Sequence, residues 1–452
     1  MDLLPHDHFL AQPRPDAQQT SAELAGVVDT TTLAAHDFDV DNRTGFMPPQ
    51  PPPARLPVDW EPWELILDEA IHRRLQLAQK PNITQEEMDS SAAWRANASA
   101  LPVLPTDSLH TSEVNLRRAH HVLTFIMHFY IHSIPLDQPV VIPRGVGIPL
   151  LQVSKQLNLP PVLTYSDNVL YNWDLITPSA EPTPGLFNLR SQTLFTGTND
   201  EQEFYLASSR IEVRGVEALE LMRETMDEAF VSDDIAIQRI SGYLERLSVV
   251  IDELKGLLMH VKEGCNPIVF YDEIRPWFRG LDSDPAKRPW VFEGIEEAGI
   301  PYPTELSGPS AAQSSLIHVL DIFLGVVQYS HSSTITGHSA DVPAKRAFLE
   351  RMRAYMPRHH RNFLAHLAAN PRPLRELVIS RGDAKLEAAY NKAVGALKSF
   401  RDSHITIVAL YIIGPSRRTA NPEDGPLKGT GGTHLAKFLK EVRDGTQGAV
   451  LK

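Results

Sequence analysis

The most informative stretch of this sequence is Ala396-Leu-Lys-Ser-Phe-Arg-Asp-Ser-His-Ile-Thr-Ile-Val-Ala-Leu-Tyr411. Its apolar side chains recur with the 3.6-residue period of an α-helix, at Leu397, Phe400, Ile407, Val408 and Tyr411. His404 lies in the middle of this apolar stripe. The stretch therefore predicts a helix that turns a histidine towards the interior of a helical protein.

A histidine that faces a core must have both ring nitrogens satisfied. One solution is a hydrogen bond at each nitrogen, and another is a metal ion at one of them. The pattern around His404 alone favours the first solution, a hydrogen-bonded core histidine, and leaves the second open.

Composition excludes several classes of protein. The chain has 452 residues, 42% hydrophobic and 22% charged, which is enough for two or three domains and for a core that encloses a large cofactor. Its net charge of −13, with no compensating basic tract, argues against a nucleic-acid binder. The single cysteine, Cys265, excludes an intrachain disulfide and a multi-cysteine zinc or iron–sulfur site, and it indicates a reducing compartment.

Membrane association is not expected either. The strongest apolar run, Ile405 to Ile413, is about half as long as a membrane-spanning helix must be. The N-terminal stretch Met1 to Leu10 has acids and a proline where a signal peptide has a basic start and an apolar core. We expect a cytoplasmic protein that binds neither nucleic acid nor membrane.

The sequence predicts a mainly α fold in three parts. Residues 1–56 form a leader, disordered up to about residue 35 and proline-rich at Pro48 to Pro53. Residues 57–190 form a smaller N-terminal domain, mixed but mostly helical, and residues 191–452 form a large helical domain. Turn signals between residues 175 and 200 indicate the boundary.

Hydrophobic periodicity predicts the individual elements. One strand is predicted at Val140–Ile142. Helices are predicted at Trp63–Leu77, Ser112–Ser133, Glu203–Leu221, Asp227–Val261, Ser310–Val326, Ala344–Tyr355, Arg361–Ala369 and Asp383–Ile413.

Three other patterns have a functional and a structural interpretation. His128 and His132 share one helix face at a spacing that can bind a metal, but the neighbouring aromatic residues favour packing. The segment Arg358-His-His-Arg361 could bind a metal or phosphate, although exposed capping and salt bridging is the simpler interpretation. The loop Gly429-Thr-Gly-Gly-Thr433 precedes a helix and suits a mobile lid over a small ligand better than a nucleotide site.

Several segments, taken together and in order, resemble the indoleamine 2,3-dioxygenase family. The matching segments are Leu159-Pro-Pro-Val-Leu-Thr-Tyr-Ser-Asp-Asn-Val-Leu-Tyr-Asn-Trp173, Asn266-Pro-Ile-Val-Phe-Tyr-Asp-Glu-Ile-Arg275, Gly308-Pro-Ser-Ala-Ala-Gln-Ser-Ser315, Tyr355-Met-Pro-Arg-His-His-Arg-Asn-Phe363 and Gly429-Thr-Gly-Gly-Thr433. The likeness runs from about residue 37 to the C-terminus.

This resemblance implies that the large helical domain binds haem b, with iron that is ferrous in the active form. The position that matches the family's proximal iron ligand is His404, with the opposite face of the iron open to dioxygen. Arg401 and Asp321 match positions near the haem, where they would neutralise a propionate and orient the surroundings, or else form an ordinary interhelical ion pair. Ser310 and Ala311 match positions close to both haem and substrate.

The resemblance also implies a distal pocket for L-tryptophan, whose indole C2–C3 bond is cleaved with O2 to give N-formylkynurenine. Phe204 and Phe270 would contact the indole, Arg275 would bind the substrate carboxylate in a bidentate fork, and Thr430 would help to close the loop over the ammonium group. Tyr165 and Ser208 complete the pocket, Ser208 supplying a small hydroxyl and no base. Ser208, Phe270 and Arg275 are the candidate catalytic residues.

Two positions depart from the family pattern, and both add polarity. Tyr205 stands where a second phenylalanine is familiar, and Asn168 stands at a pocket position that is often cysteine. Two other functions therefore stay open: a regulator that binds haem or tryptophan with little turnover, and a helical scaffold without haem. The resemblance further suggests a monomer that depends on an unidentified reductant.

Overall fold

The computed structural model describes residues 38–178, 183–326, 342–418 and 435–451. Within these residues the protein is mainly α-helical, as predicted. The start of the leader and the loop Gly429–Thr433 lie outside the described residues.

The first half of the chain builds four helices: α1 (Glu61–His72), α2 (Gln85–Ser99), α3 (Glu113–His132) and α4 (Arg144–Leu157). Side-chain caps fix where two of them begin. Thr84 and Glu87 form a reciprocal capping box at the start of α2, and the Ser112 hydroxyl accepts a hydrogen bond from the backbone N–H of Asn115 in α3. Helix α1 ends five residues earlier than predicted, because Arg74 adopts a left-handed conformation at φ 49°.

Strands are few and short. The predicted strand β1 (Val140–Ile142) is present and pairs in parallel with β4 (Trp290–Phe292). Strands β2 (Asp174–Leu175) and β3 (Leu189–Arg190) form a second, antiparallel pair. The last three strands span only two or three residues, too few for hydrophobic alternation to reveal them.

The second half contains the long helices α5 (Asn199–Val231), α6 (Asp234–Gly264) and α11 (Ala384–Val408). Helix α6 packs against both α5 and α11. Shorter helices surround them: α7 (Ser315–Phe323), α8 (Val342–Arg353), α9 (Arg358–Ala368), α10 (Leu374–Arg381) and α12 (Leu435–Gly448).

Several boundaries in this half differ from the prediction, and α10 was not predicted. Helices α5 and α6 are separated at Ser232, which is left-handed at φ 57°, and not between residues 221 and 227. The helix predicted from Ser310 is interrupted by the extended Ser314 (ψ 119°), so that a 3₁₀ turn (Ala311–Gln313) precedes α7. Helix α11 continues after Val408 as a π-helical turn, Ala409–Ile413.

The buried apolar side chains form two hydrophobic cores. One core contains Phe129, Trp277 and Tyr411, and the other contains Leu244 and Tyr390. Each draws on residues from both sides of the predicted domain boundary. The boundary itself stays a prediction.

Helices α5 and α11 contribute to both cores. In α11, Phe400 packs in one core and Ile407 in the other. In α5, Tyr205 packs in the same core as Ile407, and Leu206 packs in the same core as Phe400. His404 therefore lies where the two cores meet, and the start of α5 lies at the same junction.

Across the part of the chain that the structure describes, no helix combines the length and apolarity that crossing a membrane requires.

Candidate functional site

His404 has an unusual environment for a buried histidine. It projects from α11 between Phe400 and Ile407, and it is half-buried. Burial, and secondarily the positive charge of Arg401 one turn earlier, lowers the pKa of His404 to about 4. At neutral pH the ring is therefore uncharged, which is the form that coordinates a metal.

No described residue forms a hydrogen bond or an ion pair with the His404 ring. The other buried histidines behave differently. In α3, His120 contacts Asp167 at 2.8 Å, and His128 contacts the Trp277 carbonyl at 2.7 Å. Neither ring nitrogen of His404 has a protein partner among the described residues, and its role as an iron ligand stays a prediction.

Arg401 forms a buried ion pair with Asp321. Its Nη2 lies 2.5 and 2.6 Å from the two carboxylate oxygens, and Nη1 donates to the hydroxyl of Thr446 in α12. This pair ties α11 to α7 beside His404. The structure thus contains the interhelical ion pair that the sequence left as one alternative, and the role towards a haem propionate stays a prediction.

Aromatic rings connect the start of α5 with the helix that carries His404. The centroids of Phe204 and Phe270 are 4.3 Å apart, and Phe270 meets Tyr411 edge-on at 5.7 Å. Tyr411 follows His404 by seven residues, two helical turns, and therefore lies on a similar face. Phe204 and Phe270, which are predicted to contact an indole, therefore lie together beside the helix that carries His404.

Arg275 is buried, with 4% of its surface exposed. A π-helical turn, Phe270–Ile274, leads into a 3₁₀ turn that begins at Arg275. Its guanidinium lies 5.4 Å from the ring centre of Tyr271. Burial, and secondarily the charge of Arg279, lowers the pKa of Arg275 to about 10, so the side chain stays cationic and poorly solvated. A buried cation of this kind suits a carboxylate ligand.

Tyr165 is held by its backbone and by its side chain. Its backbone N–H donates to Gln313 Oε1 at 2.9 Å, and its hydroxyl donates to Glu212 Oε1 at 2.8 Å. Ser208 lies close enough to Tyr165 to affect the pKa of its hydroxyl, which burial raises well above its usual value. The structure adds Glu212 to these two predicted pocket residues, whose role towards a substrate stays a prediction.

Ser310 and Ala311 lie on the turn before α7. The Ser310 hydroxyl accepts a hydrogen bond from the Ala312 N–H at 3.3 Å, and Ala311 is exposed. Gln313 connects this turn to Tyr165. Thr430, the remaining predicted site residue, lies outside the described residues.

The two departures from the family pattern are both buried. Asn168 is 4% exposed, and its Oδ1 has no hydrogen-bond partner among the described residues. Tyr205 is 1% exposed and packs 5.7 Å from Phe278, and burial together with the Glu201 carboxyl group raises the pKa of its hydroxyl. Both departures therefore place a polar group in the interior of the protein. Their effect on substrates stays a prediction.

The other histidine patterns have structural roles. His132 contacts the Arg279 carbonyl at 2.9 Å, and His128 is bonded to the backbone as described, which agrees with packing. His359 and His360 are 2% and 0% exposed, so the expectation of exposed capping was wrong. They are buried because α9 packs inward against α7, while Arg358 forms an ion pair with Glu113 at 2.8 Å.

The residues present fit haem better than a free metal ion. Among the described residues, no group of three or more His, Cys, Asp or Glu side chains could hold an ion. One neutral imidazole without a hydrogen bond can hold an iron ion only if a macrocycle supplies the other iron ligands. Haem proteins with a single histidine ligand have this arrangement. His404 lies between two apolar cores, where the flat apolar face of such a group can be buried.

Sequence reasoning missed Glu212 and Gln313. Glu212 follows Ser208 by four residues, so helical spacing alone places it on the same face of α5. Gln313 lies inside a quoted family segment but received no role. Its contact with Tyr165 spans 148 residues of sequence, and only the folded chain reveals it.

The fold and the site together define the class of protein. It is a mainly helical protein with one histidine that is a candidate ligand for haem iron. Comparison with known proteins adds the family. Residues 34–449 match the family described as Indoleamine 2,3-dioxygenase. The chain belongs to this family.

Individual relatives are similar over most of their length. Indoleamine 2,3-dioxygenase 1 of Mus musculus is 30% identical over 424 residues, covering 92% of this chain and 95% of the relative. Indoleamine 2,3-dioxygenase of Saccharomyces cerevisiae is 34% identical over 406 residues, covering 82% and 85%. A 6-hydroxytryptophan 2,3-dioxygenase of Fusarium equiseti is 31% identical over 435 residues, covering 92% and 97%.

Proposed function

We propose that this protein is a haem-dependent dioxygenase that cleaves the indole C2–C3 bond of L-tryptophan with O2 to give N-formylkynurenine. The observation that carries the proposal is the neutral His404 ring, which no described residue engages, in a chain that belongs to the indoleamine 2,3-dioxygenase family over residues 34–449. When bound, haem supplies the redox-active iron that activates dioxygen.

The protein's own side chains hold the cofactor and orient the substrate. His404 would hold the haem iron, with Arg401 and Asp321 beside it, and Ser310 and Ala311 are proposed to lie close to both haem and substrate. The buried ion pair of Arg401 with Asp321 supports a role in fixing α11, because it ties the helix to α7 one turn before the ligand. A ligand held on a fixed helix keeps its geometry during turnover.

Substrate orientation is assigned to the distal residues. Phe204 and Phe270 present adjacent ring faces to an indole, and Arg275 offers the substrate carboxylate a poorly solvated cation. Thr430 is proposed to act on the ammonium group. None of these groups is a general base, so their contribution is to position the substrate and exclude water.

The test compares wild type with His404→Ala, in haem-loaded and chemically reduced form. Wild type is expected to show a Soret band and to form N-formylkynurenine aerobically from L-tryptophan. His404→Ala should lose both, and Arg275→Ala should keep the Soret band while its KM rises about 10- to 100-fold through loss of a charge-assisted contact. His260→Ala, at an exposed histidine of α6, is the matched control.

Circular dichroism establishes that the variants are folded. Normal haem binding by folded His404→Ala contradicts the ligand assignment. A normal Soret band in wild type without product contradicts the enzyme and favours the haem- or tryptophan-binding regulator.

A second substrate has support of its own. One relative is a 6-hydroxytryptophan 2,3-dioxygenase, and the buried Asn168 amide has an oxygen without a hydrogen-bond partner in the described part of the chain. Such an amide can accept the hydroxyl of a hydroxylated indole. Parallel assays with L-tryptophan and 6-hydroxytryptophan decide between them through kcat/KM.

We further propose that the enzyme acts as a cytoplasmic monomer supplied by an external reductant, with domains at 57–190 and 191–452. Light scattering coupled to size-exclusion chromatography measures the oligomeric state. Limited proteolysis followed by mass spectrometry tests the boundary, since exposed linkers are cut before packed domains.

A further inference from the structure

Glu212 joins three separate parts of the chain at one carboxyl oxygen. Its Oε1 accepts the hydroxyl of Tyr165 at 2.8 Å and the hydroxyl of Ser314 at 2.8 Å. Tyr165 precedes the π-helical turn Ser166–Leu170, Ser314 is the N-cap residue of α7, and Glu212 itself lies on α5. All three side chains are buried.

Two further contacts hold the same junction. Gln313 accepts the backbone N–H of Tyr165 at 2.9 Å and donates to the Gly308 carbonyl at 3.0 Å. At Gly215, less than one turn beyond Glu212, a Cβ atom would lie 2.3 Å from Leu316 Cδ2. Helices α5 and α7 can therefore approach closely enough for Ser314 to reach the carboxyl group.

Each part of the chain that Glu212 joins contributes a proposed pocket residue. Glu212 follows Ser208 by one helical turn and Phe204 by two, and the turn before Ser314 carries Ser310. The Glu212 carboxyl group itself contacts Tyr165 and Ser314. It is therefore in a position to support the proposed pocket through these two residues.

A buried carboxyl group normally needs a cation, and this one has none among the described residues. Burial raises the pKa of Glu212 to about 7, opposed only by the hydroxyls of Tyr165 and Ser314. The charged side chains nearby on α5 point elsewhere: Arg210 pairs with Glu203, and Arg214 with Glu217. On the other two segments, Asp167 pairs with His120 and Asp321 with Arg401.

We propose that Glu212 is a positioning residue of the dioxygenase, which fixes the Tyr165 ring as one wall of the tryptophan pocket. This inference rests on the proposed function. Holding Tyr165 keeps the pocket in its binding shape before substrate arrives, so loss of the contact lowers substrate affinity while the reaction of bound substrate is little changed.

The experiment measures KM and kcat for L-tryptophan with haem-loaded Glu212→Leu and Glu212→Gln. Leucine is similar in size to glutamate but has no hydrogen-bond acceptor. Glu212→Leu should therefore raise KM about 10-fold, the usual effect of one lost hydrogen bond. Its kcat should stay within about 2-fold of wild type. Glutamine keeps an acceptor for both hydroxyls and should restore KM to within about 3-fold of wild type. The Kd from the tryptophan-induced Soret shift should follow KM.

A double-mutant cycle with Tyr165→Phe separates positioning from general destabilisation. In the Tyr165→Phe background the hydroxyl is absent, so Glu212→Leu should change KM by less than about 2-fold. The proposal is overturned if Glu212→Leu raises KM about 10-fold in both the wild-type and the Tyr165→Phe background. It is also overturned if Glu212→Gln raises KM as much as Glu212→Leu does. Absence of product from wild type contradicts the enzyme function instead, and the two failures are thereby distinguished.

Discussion

At the residue scale, the hydrogen-bond partners distinguish His404 from the other buried histidines. His120, His121, His128 and His132 each contact a carboxylate, hydroxyl or carbonyl group, and burial accordingly costs them little. His404 has no such partner among the described residues. Hydropathy patterns are the same in both cases, and therefore the sequence pattern alone could not distinguish them.

Asn168 and Asn172 make a pair for testing the cost of an unsatisfied amide. Asn168 Oδ1 is buried without a hydrogen bond to any described residue, whereas Asn172 donates to the Thr193 carbonyl at 2.9 Å and accepts from the Thr193 N–H at 2.8 Å. Asn168→Cys should stabilise the protein by about 1 kcal/mol, because it removes a desolvated amide. Asn172→Cys should destabilise it by about 2–4 kcal/mol.

Urea unfolding of both variants measures this difference. A loss of stability in Asn168→Cys equal to that in Asn172→Cys would mean that the Asn168 amide has a partner in solution, such as an ordered water.

At the element scale, α5 is the helix on which the proposed site is built. Phe204, Ser208, Glu212 and Gly215 follow one another at spacings of four, four and three residues, which places them along one face. Along this face, Phe204 packs on Phe270, Glu212 contacts Tyr165, and Gly215 lies against α7. A helix of 33 residues can therefore link the pocket to its supporting contacts without a loop between them.

Gly215 tests the close packing of α5 on α7. In Gly215→Ala the new methyl group would lie 2.3 Å from Leu316 Cδ2, and the buried leucine would have to move. We expect a loss of about 1–3 kcal/mol in the free energy of unfolding.

The matched control is Gly256→Ala in the interior of α6, where a Cβ meets nothing within 4 Å. Because alanine favours helix more than glycine, this variant should gain about 0.5–1 kcal/mol. Equal stabilisation of both variants in a denaturant titration would show that α5 and α7 are less tightly packed than described.

At the scale of the whole molecule, Glu113 connects distant parts of the chain. Its carboxylate lies 2.6 Å from Arg117 in α3 and 2.8 Å from Arg358 in α9, while Arg117 also pairs with Asp39 at 3.0 Å. Burial opposes ionisation of Glu113 most strongly, but Arg117, His359 and Arg358 outweigh it and lower its pKa well below the usual 4.5.

A lowered pKa in the folded state stabilises the protein above the unfolded-state pKa and is lost as pH falls. Glu113→Gln should therefore reduce the free energy of unfolding at pH 7 by about 1–3 kcal/mol, a range that allows for partial exposure. The difference from wild type should shrink steadily below about pH 4.5. Urea titrations of wild type and Glu113→Gln at several pH values measure this difference in the free energy of unfolding.

Glu61→Gln, at an exposed pair with Arg55, is the control and should cost less than about 1 kcal/mol. A Glu113 effect that is equally large at pH 7 and pH 3 would assign the loss to packing and not to charge.

The amino-acid sequence predicted the helical class and most helix positions, and its ordered family segments suggested the candidate residues from Tyr165 to His404. It could do so because helical periodicity and short motifs are local properties of the chain. Helix ends at Arg74 and Ser232 and the break at Ser314 were missed, since single backbone conformations decide them.

Which polar groups find hydrogen-bond partners depends on how distant segments pack together. The contacts of Glu212 with Tyr165 and Ser314 span 47 and 102 residues, and the lack of a partner at His404 depends on every segment that packs around α11. Such contacts form between distant segments when the two cores assemble, and no local pattern encodes them. The sequence therefore suggested the pocket residues through the family resemblance, and the fold showed the contacts that hold Tyr165 in place.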